Sequence, residues 1–478
     1  MRQSIHIILA AALFVPMTLA AQKGKNAISV FTTTEHDSVR LYDQSNFAPK
    51  AGDGYRGGIG IKVYPSVKRQ TFRGFGTCIG DGNAAAAMRL SEKKREEAAR
   101  MLFSPDGGNG YVFCRVPMGS NDFSTCGYTH IKEGDKTLSS FNLKQDKKYI
   151  IPMLREAQKF SPQLRLMISP WSPPAFMKTT GKRENGGKLL PEYCDAWAEY
   201  FARFIKAYQQ EGFTTALATI ENECSYTISW ETCLYTAKEE GDFAANYLRP
   251  HLDAAGLDSV GILFWDCDRS QIIERSDGTF GVPGARKAIA GIANHWYGGD
   301  YFQQLRTFHE RYPEQLIVES EFCVGPNIGR HTTMPYGTWS DIELYGHEII
   351  GCLNNFTNVI FDFNAFLDTH AGPYHNRGNG GIPSLVIDAA NDTFHPQPHY
   401  YAMAHFSRFI RPGARIVLAT ASVDDVEVTA AQNPDGSVAC VVLNHSDNDR
   451  LTSLSVVGVA SKGNIPLPAH SLTTIVVK

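Results

Sequence analysis

Hydrophobic and polar residues follow a two-residue period at both ends of the chain. Residues 59–63 alternate apolar side chains with Gly or Lys, and residues 27–42 are rich in β-branched side chains, as expected of half-buried strands. Near the other end, residues 424–446 predict two strands joined at Asn-Pro-Asp-Gly (433–436), where Pro presets φ and Gly tolerates a positive φ. Two strands alone bury no core, so the pattern predicts a β-sandwich assembled from both termini, with the middle of the chain inserted.

The middle of the chain alternates short apolar runs with amphipathic stretches. One stretch, residues 195–212, places large apolar residues on one helical face before Gly212 ends it. Such alternation over about 340 residues predicts an α/β fold, a (β/α)8 TIM barrel. The apolar runs are residues 111–118, 164–171, 216–223, 261–266, 291–297, 315–322 and 359–364.

Six of these runs end in residues that can take part in chemistry. Active sites of (β/α)8 barrels form at the C-terminal ends of the strands, so the six ends are predicted to meet at one mouth. One polar strand end is ordinary, whereas six in succession favour a functional interpretation. The ends carry Trp171; Glu221, Asn222 and Glu223; Asp266; His295, Trp296 and Tyr297; Glu319 and Glu321; and Asp362 and Asn364.

Two pairs of glutamates, 221/223 and 319/321, suggest the chemistry. Glu223 and Glu321 are 98 residues apart, about three βα units of roughly 31 residues each. If 216–223 is the fourth strand, 315–322 is the seventh, and the two ends lie across one mouth. Two converging carboxylates suit glycoside hydrolysis; the alternative is that each pair caps a helix or forms salt bridges. Strand alternation would point both members of a pair the same way, so Glu223 and Glu321 are preferred only as the members nearer the mouth.

Composition narrows the functional classes. A net charge of −3 leaves no broad cationic surface for phosphate backbones, so nucleic acid is not an expected partner. Neither a Cys-x-x-Cys nor a His-Glu-x-x-His pattern occurs, so no metal and no cofactor is assigned. The ten cysteines are irregularly spaced; several lie in strand-like runs, where a buried thiol is the usual arrangement, although the pattern excludes no disulfide.

Residues 1–21 predict a secretory signal peptide, since Arg2 precedes an apolar stretch at 5–15 and small residues follow at 18–20. No later stretch approaches the roughly 20 apolar residues of a membrane span. We therefore expect a soluble, exported protein, periplasmic or extracellular, without stable membrane insertion and of undetermined oligomeric state. The predicted parts are the signal peptide at 1–21, the N-terminal sandwich strands at 22–65, the barrel at 66–410 and the rest of the sandwich at 411–478.

Aromatic residues accompany the strand ends. Trp171 and Phe176 lie in a Pro-rich loop at 169–181, and Trp296 and Tyr297 follow His295. A single Trp is more often a core residue, but flat apolar faces beside hydrogen-bonding groups suit the C–H faces of sugar rings.

Two glycine-rich stretches have other interpretations. Residues 74–82 lack the spacing and context of a dinucleotide-binding loop. Residues 369–381 are either a flexible connection or a wall of the binding site.

Several stretches together resemble glycoside hydrolase family 30, the glucosylceramidase-like retaining β-glycosidases. They occur in the family's order over most of the chain. The resemblance implies a (β/α)8 barrel fused to a β-sandwich built from both termini. The matching stretches are "GFGTCIGD" (74–81), "RVPMGSNDFS" (115–124), "SPWSPPAFMKTTG" (169–181), "ENE" (221–223), "ANHWY" (293–297), "ESEFCVG" (319–325), "DFNAFLDTHAGP" (362–373) and "DTFHPQPHYYAMAHFSRFIRPG" (392–413).

The resemblance also implies roles for individual residues. Glu223 matches the family's general acid/base, and Glu321 matches the nucleophile of its Ser-Glu-x-Cys motif. The implied mechanism is double displacement on a β-linked glucan or β-glucoside, and Glu223 is expected to titrate near neutral pH because a second carboxylate lies close by. Positions that match residues lining or supporting the sugar site are Arg115, Asp122, Trp171, Asn222, His295, Tyr297 and Phe363.

Four positions depart from the family's pattern. Cys224 stands where Pro usually follows the acid/base, Phe176 and Phe363 replace tryptophans, and Tyr374 stands where some members have an amide. These departures are expected at the walls of the sugar site, so they bear on substrate identity rather than on reaction type.

Residues 229–243 and 263–275 look most like the bacterial β-1,6-glucanase branch, which favours a β-1,6-linked glucan as substrate. Alternatives within the family are an exo-acting β-glucosidase, a β-xylosidase and a glucosylceramidase. A secreted carbohydrate-binding protein without turnover is the alternative from another class. The intact Glu223 and Glu321 speak against it, while Cys224 leaves it open.

Overall fold

The computed structural model describes residues 28–35, 40–46, 56–324, 336–375 and 381–478. The signal peptide predicted at residues 1–21 lies outside the described residues, as do residues 376–380 of the glycine-rich loop. The described residues form a closed barrel, a larger sheet of nine strands and a small sheet of three.

The middle of the chain forms the predicted (β/α)8 barrel. Its strands are parallel and pair in chain order, and the last closes on the first. The N-terminal strands are β1 (Ile28–Thr34), β2 (Tyr42–Asp43) and β3 (Arg56–Thr71), and the barrel strands are β4 (Gly74–Cys78), β5 (Phe113–Pro117), β6 (Arg165–Ser169), β7 (Thr214–Thr219), β8 (Gly261–Asp268), β9 (Ile289–His295), β10 (Leu316–Phe322) and β11 (Val359–Asp362).

None of the apolar runs in the sequence predicts the first barrel strand, β4, because this strand is rich in glycine. A Cβ at Gly76 would lie 2.6 Å from the carbonyl oxygen of Phe113, so the close approach of β4 and β5 requires glycine there. The inner layer of the barrel is filled from the other strands. Phe113 and Phe361 meet edge to face at 5.9 Å within it.

Helices follow the barrel strands and cover their outer surface. Helix α4 confirms the amphipathic prediction for residues 195–212: Trp197, Phe201 and Tyr208 are buried, and Gly212 takes a φ of 89° just after the helix. The helices are α1 (Asp81–Ala87), α2 (Glu92–Phe103), α3 (Ile150–Phe160), α4 (Cys194–Gln210), α5 (Ala237–Phe243), α6 (Arg249–Ala254), α7 (Ile272–Phe280), α8 (Ala285–Ala288), α9 (Phe302–Arg311), α10 (Trp339–Asn354) and α11 (Pro398–Ser407).

Strands from both ends of the chain form the predicted β-sandwich, a sheet folded over a shared apolar core. The first part of β3 pairs in parallel with β18, and its later part pairs antiparallel with β15. Ile59, Ile61 and Val63 of β3 share the core with Val30 of β1. The remaining strands are β12 (Phe366–Asp368), β13 (Leu385–Asp388), β14 (Thr393–Pro396), β15 (Arg415–Ala421), β16 (Val426–Gln432), β17 (Val438–Asn444), β18 (Arg450–Val456), β19 (Ala460–Leu467) and β20 (Ser471–Val477).

One buried cluster extends from the barrel helices to the sandwich, beside the sandwich's own core. Leu443 of β17 and Leu472 of β20 belong to the same buried cluster as the apolar face of α10. His405 of α11 lies 2.9 Å from Oγ1 of Thr474 and 2.8 Å from Oγ1 of Thr33, so a buried polar contact also joins the two parts. β3 continues beyond the boundary predicted at residue 65, and only two residues separate it from β4. Packing, hydrogen bonds and this short connection therefore all join the barrel to the sandwich.

Candidate active site

A cavity of about 420 Å³ opens at the C-terminal ends of the barrel strands. Its size is within the range of small-molecule binding sites, and its position is the mouth at which the polar strand ends are predicted to meet. The cavity is lined by Asp122, Phe123, Trp171, Asn222, Glu223, Tyr226, Thr227, Ile228, Trp230, Asp268, Tyr297, Glu321, Cys323, Val324, Phe363 and Gly381.

Glu321 faces the cavity from the end of β10 with both carboxylate oxygens hydrogen-bonded. Oε2 accepts from Nη1 of Arg115 at 2.5 Å, and Oε1 accepts from the hydroxyl of Tyr297 at 2.8 Å. Tyr297 is 46% exposed at the rim. The cation and the hydroxyl stabilise the ionised carboxylate and fix its direction. An oriented anionic oxygen at a cavity wall is what a carboxylate nucleophile requires.

Arg115 is fully buried behind Glu321 and contacts several polar side chains at once. Nη2 donates to Oδ1 of Asn222 at 2.7 Å and to Oδ2 of Asp266 at 2.8 Å, and Nε donates to Oγ of Ser169 at 3.1 Å. Burial alone would lower the pKa of Arg115, but Asp266 and Glu321 raise it above its ordinary value, so the guanidinium stays charged. The sequence predicts Arg115 as a residue that lines or supports the sugar site; the structure places it behind the wall rather than in it.

Glu223 lies in the turn after β7. Its φ of 50° is in the left-handed region, which residues other than glycine seldom adopt. Its N–H donates to the carbonyl of Asp266 at 2.9 Å, and Oε1 lies 3.5 Å from Nδ1 of His295. Burial raises the pKa of Glu223 and the charges of Glu321 and Asp268 add to this, while His295 opposes it. A carboxyl that holds its proton at the cavity wall is suited to general acid catalysis.

His295 is buried between the carboxyl groups of Glu223 and Asp266. Its Nε2 is 3.1 Å from Oδ1 of Asp266, which also accepts from Oγ of Ser320 at 2.6 Å. Burial lowers the pKa of His295, but Glu321, Asp266 and Glu223 together raise it to about 10, so His295 is a cation at neutral pH. Burial would raise the pKa of Asp266, but Arg115 and His295 hold it well below its usual range.

Asp122 faces the cavity, and among the described residues no cation pairs with it. Burial raises the pKa of Asp122, and the negative charges of Glu321 and Glu223 raise it further. Two cations, Arg115 and His295, pair with Asp266, Glu321 and Glu223, and neither of them pairs with Asp122. The pKa shifts favour the protonated forms of Glu223 and Asp122 and the ionised form of Asp266.

Aromatic rings form one wall of the cavity. The rings of Trp171 and Phe363 are stacked at 6.4 Å, and Phe123 meets Phe363 edge to face at 5.8 Å. The guanidinium of Arg115 lies over the ring of Trp171, 4.8 Å from its centroid. The result is a flat apolar surface beside Asp122 and Asn222, the combination that binds one face and the hydroxyls of a pyranose.

The other member of each glutamate pair points elsewhere. Glu221 is buried, and within the described part of the chain its carboxyl oxygens make no hydrogen bond; burial raises its pKa. Glu319 pairs with Arg269 on the side of α10. The expected alternation is wrong in both places, because β7 ends at Thr219 and a bulge shifts the register between Glu319 and Glu321.

Glu231 ties several loops around the cavity together. Its Oε1 accepts from Oγ of Ser120 at 2.6 Å and lies 3.1 Å from Nε2 of His375 and 3.3 Å from Nη1 of Arg183. Burial alone would raise the pKa of Glu231, but His375, Arg183 and Ser120 lower it to about 2. These residues follow four different barrel strands, so the ionised carboxylate joins loops that also carry cavity residues.

Of the four positions that depart from the family's pattern, only Phe363 lines the cavity. The buried thiol of Cys224 faces away from it, 3.5 Å from the carbonyl of Trp265 and 3.2 Å from Nη2 of Arg275. The ring of Phe176 packs edge to face on Tyr193 at 5.4 Å. Tyr374 is largely exposed.

Sequence reasoning did not single out three of the residues that line the cavity: Tyr226, Trp230 and Asp268. Asp268 lies two residues beyond the predicted end of its strand, and Tyr226 and Trp230 lie in a loop without a periodic pattern. Asp266 is recognised as a polar strand end, but its contact with Arg115 has no local signal in the sequence.

Within the described ranges, no group of three or more His, Cys, Asp or Glu side chains is arranged to hold a metal ion. The same residues include no helix that is long and apolar enough to cross a membrane.

Comparison with known proteins identifies the class. The family description "Glycosyl hydrolase family 30 TIM-barrel domain" matches residues 72–410, and "Glycosyl hydrolase family 30 beta sandwich domain" matches residues 413–475. The lysosomal acid glucosylceramidase of Mus musculus is 32% identical over 87% of this chain and 84% of its own length. The endo-1,6-beta-D-glucanase BGN16.3 of Trichoderma harzianum is 27% identical over 89% of both chains.

A solved structure, described as the endo-beta1,6-glucanase BT3312, superimposes with a TM-score of 0.82 at 25% identity, over 94% of this chain and 99% of its own. Fold, cavity and relatives together define a barrel glycosidase. The chain belongs to glycosyl hydrolase family 30.

Proposed function

We propose that the protein is a retaining β-glycosidase that hydrolyses β-glucosidic linkages by double displacement, with β-1,6-glucan as its substrate. The observation that carries the proposal is the unequal setting of two carboxyl groups at one cavity. Glu321 is paired with a buried cation, whereas burial and neighbouring anions raise the pKa of Glu223. One group is thus prepared to attack and the other to donate a proton.

In the first step, an oxygen of Glu321 attacks the anomeric carbon while the glycosidic bond breaks and Glu223 gives its proton to the leaving oxygen. A covalent glycosyl ester with Glu321 results. In the second step, Glu223 takes a proton from water, the water oxygen attacks the anomeric carbon, and Glu321 leaves as carboxylate. Tyr297 and Arg115 hold Glu321, and His295 stabilises Glu223 when it is ionised.

Trp171, Phe363, Asp122 and Asn222 would bind the sugar whose linkage is cleaved. An apolar wall can cover one face of a glucose ring, and the two polar side chains can hydrogen-bond its hydroxyls.

Two relatives with "endo-1,6-beta-D-glucanase" in their names and the solved glucanase support β-1,6-glucan as the substrate. The 32% identity to a glucosylceramidase favours a second candidate, a β-glucoside of a lipid. The N-terminal apolar segment supports export to the periplasm or the cell exterior.

Variants at the four glutamates test the reaction and the roles. Wild-type protein should hydrolyse an aryl β-glucoside, and Glu321→Gln should lower kcat about a thousandfold or more because the nucleophile is lost. Matched controls are available in the chain: Glu319→Gln and Glu221→Gln change a neighbouring carboxyl that lies outside the cavity. Equal losses in Glu321→Gln and Glu319→Gln would remove the assignment of the nucleophile.

The stereochemistry is tested with azide. Glu223→Ala should cleave only glucosides with an activated leaving group, and added azide should restore turnover with a β-glucosyl azide as product, because azide attacks the ester of Glu321 from the open side. An α-configured azide from this variant would contradict retention. β-1,6-Glucan and a glucosylceramide assayed side by side separate the two substrate candidates, and no turnover of any β-glycoside would favour a binding protein.

A further inference from the structure

Three residues that line the cavity have no part in the two chemical steps: Tyr226, Trp230 and Asp268. Tyr226 lies in the same turn as Glu223 and donates its N–H to the carbonyl of Glu223 at 3.0 Å. Trp230 packs against the aromatic cluster that includes Trp171 and Phe363.

The negative charge of Asp268 raises the pKa of Glu223, and that of Glu223 raises the pKa of Tyr226. Among charged neighbours, Glu321 raises the pKa of Asp122 the most, so Asp122 lies on the side of the nucleophile. A general acid lies beside the leaving oxygen, so the leaving group must occupy the side of Glu223.

Asp268 is held in a single orientation at this side. Its Oδ2 accepts a hydrogen bond of 2.5 Å from the hydroxyl of Tyr226, and its main-chain carbonyl accepts one of 2.9 Å from the indole of Trp265. Gly298 packs against it: a Cβ there would lie 3.1 Å from Cβ and 3.2 Å from Cγ of Asp268. In the described part of the chain no donor satisfies Oδ1, which leaves one carboxylate oxygen for a ligand.

From this geometry we propose that Tyr226, Trp230 and Asp268 bind the leaving group, and that they take a sugar with free hydroxyls rather than an alkyl chain. A carboxylate oxygen and a phenolic oxygen side by side match neighbouring hydroxyls of a pyranose. Trp230, which packs against the aromatic cluster of Trp171 and Phe363, adds aromatic surface for the ring. An alkyl chain would instead remove water from Asp268 and return no hydrogen bond, which is unfavourable for a charged group.

This inference rests on the proposed glycosidase activity and narrows its substrate class to glycans. The chemistry at Glu223 and Glu321 is the same for sugar and lipid leaving groups. The distinction between them therefore depends on the side chains beyond Glu223.

The test compares three β-glucosides that differ only in the leaving group: a β-1,6-linked gluco-oligosaccharide, octyl β-glucoside and 2,4-dinitrophenyl β-glucoside. Asp268→Asn and Tyr226→Phe should each lower kcat/KM on the oligosaccharide at least about tenfold, mainly through KM, because a charge-assisted hydrogen bond is lost. The loss on the dinitrophenyl glucoside should stay within about threefold. Each variant is assayed at its own pH optimum, since Asp268 also raises the pKa of Glu223.

Two further variants test the position of Asp268 and serve as a control. Gly298→Ala displaces Asp268 without removing it and should show the same selective loss to a smaller degree. Asp258→Asn changes an exposed aspartate before β8, at the opposite end of the barrel, and should leave all three rates unchanged. Thermal unfolding of each variant shows that it is folded.

Equal losses on all three glucosides, or no loss on the oligosaccharide, would overturn the inference. So would a wild-type preference for octyl β-glucoside over the oligosaccharide. If wild-type protein cleaved none of the three, the proposed function itself would fail, and the inference with it. This outcome can be told from a failure of the inference alone, because cleavage of the dinitrophenyl glucoside requires neither binding of the leaving group nor proton donation.

Discussion

The guanidinium of Arg115 lies 2.5 Å from Oε2 of Glu321, and the pair is almost completely shielded from solvent. A buried carboxylate loses its hydration, so the cation replaces water as the group that stabilises the charge. The reactivity proposed for Glu321 thus depends on a residue that does not line the cavity.

Replacing Arg115 should therefore impair both catalysis and folding. Arg115→Lys keeps a charge but cannot contact Glu321, Asn222 and Asp266 at once, and we expect kcat/KM to fall by about a hundredfold. Arg269→Lys is the matched control, since Arg269 is equally buried and pairs with Glu319 and Glu348 away from the cavity. The two variants should lose similar unfolding free energy, but only Arg115→Lys should lose most of its activity. Steady-state kinetics and urea unfolding of both proteins measure this difference.

Removal of the His295 cation should move the pH profile upward. His295 opposes the rise in the pKa of Glu223, so with a neutral residue in its place the pKa of Glu223 rises further. In His295→Gln the alkaline limb of kcat/KM, where the acid loses its proton, should shift to higher pH by about one unit. A profile that kept its alkaline limb while the maximum rate fell would mean that His295 has only a structural role.

Neutralising Glu231 should loosen the loops around the cavity. Glu231→Gln leaves Arg183 and His375 buried without their counter-charge, which costs about 3 kcal/mol of unfolding free energy. The loops joined by Glu231 carry Asp122 and Trp230, so KM should rise more than kcat falls. Glu231→Asp keeps the charge and should recover part of both losses. Unchanged KM in Glu231→Gln would separate this cluster from substrate binding.

The interface of barrel and sandwich should weaken on acidification. Burial lowers the pKa of His405 to about 3, and Arg408 adds to the effect. The unfolded chain binds this proton near pH 6.5 but the folded protein does not, so stability is complete above pH 6.5 and falls by about 1.4 kcal/mol per pH unit below it. His399 has a similar pKa and acts in the same direction.

Urea unfolding between pH 7 and pH 4.5 measures the slope. In His405→Gln the slope should decrease by the contribution of one proton, while the absolute stability at pH 7 falls because Thr33 and Thr474 lose a partner. Glu231 begins to contribute near pH 4.5, where an unfolded glutamate takes up its proton, so its effect falls at the lower edge of this window and the His405→Gln comparison separates the two. An unchanged slope would exclude His405 as the titrating group.

Much of the barrel is predictable because its signal is periodic. Seven apolar runs correspond to barrel strands, and the interval between Glu223 and Glu321 correctly predicts that three βα units separate their strands, which are the fourth and the seventh of the barrel. The strand β4 gives no such signal, since its glycines are selected by contact with Phe113 rather than by burial of their own side chains. In the sandwich, β19 is missed because Lys, Gly, Asn and Pro interrupt its pattern.

The site is less predictable than the fold because its contacts are long-range. Strand alternation fails at both glutamate pairs, one beyond a strand end and the other at a bulge, and neither irregularity is visible in a two-residue pattern. The network of Arg115 joins residues from five different barrel strands or the loops after them. These residues come into contact only when the barrel closes, so the sequence of any single segment does not predict the contacts.

Ile28 pairs with Val477, so the first described strand and the last are neighbours in the sheet. During synthesis at about 5–20 residues per second, β1 would wait some tens of seconds for β20 to leave the ribosome. All barrel strands are made in that interval, which lets the barrel assemble first, while β1 and β3 remain open edges able to pair with other chains. The sandwich can therefore close only once β20 is made, and loss of that strand would leave β1 and β17 without their shared neighbour and expose edges able to pair with other chains.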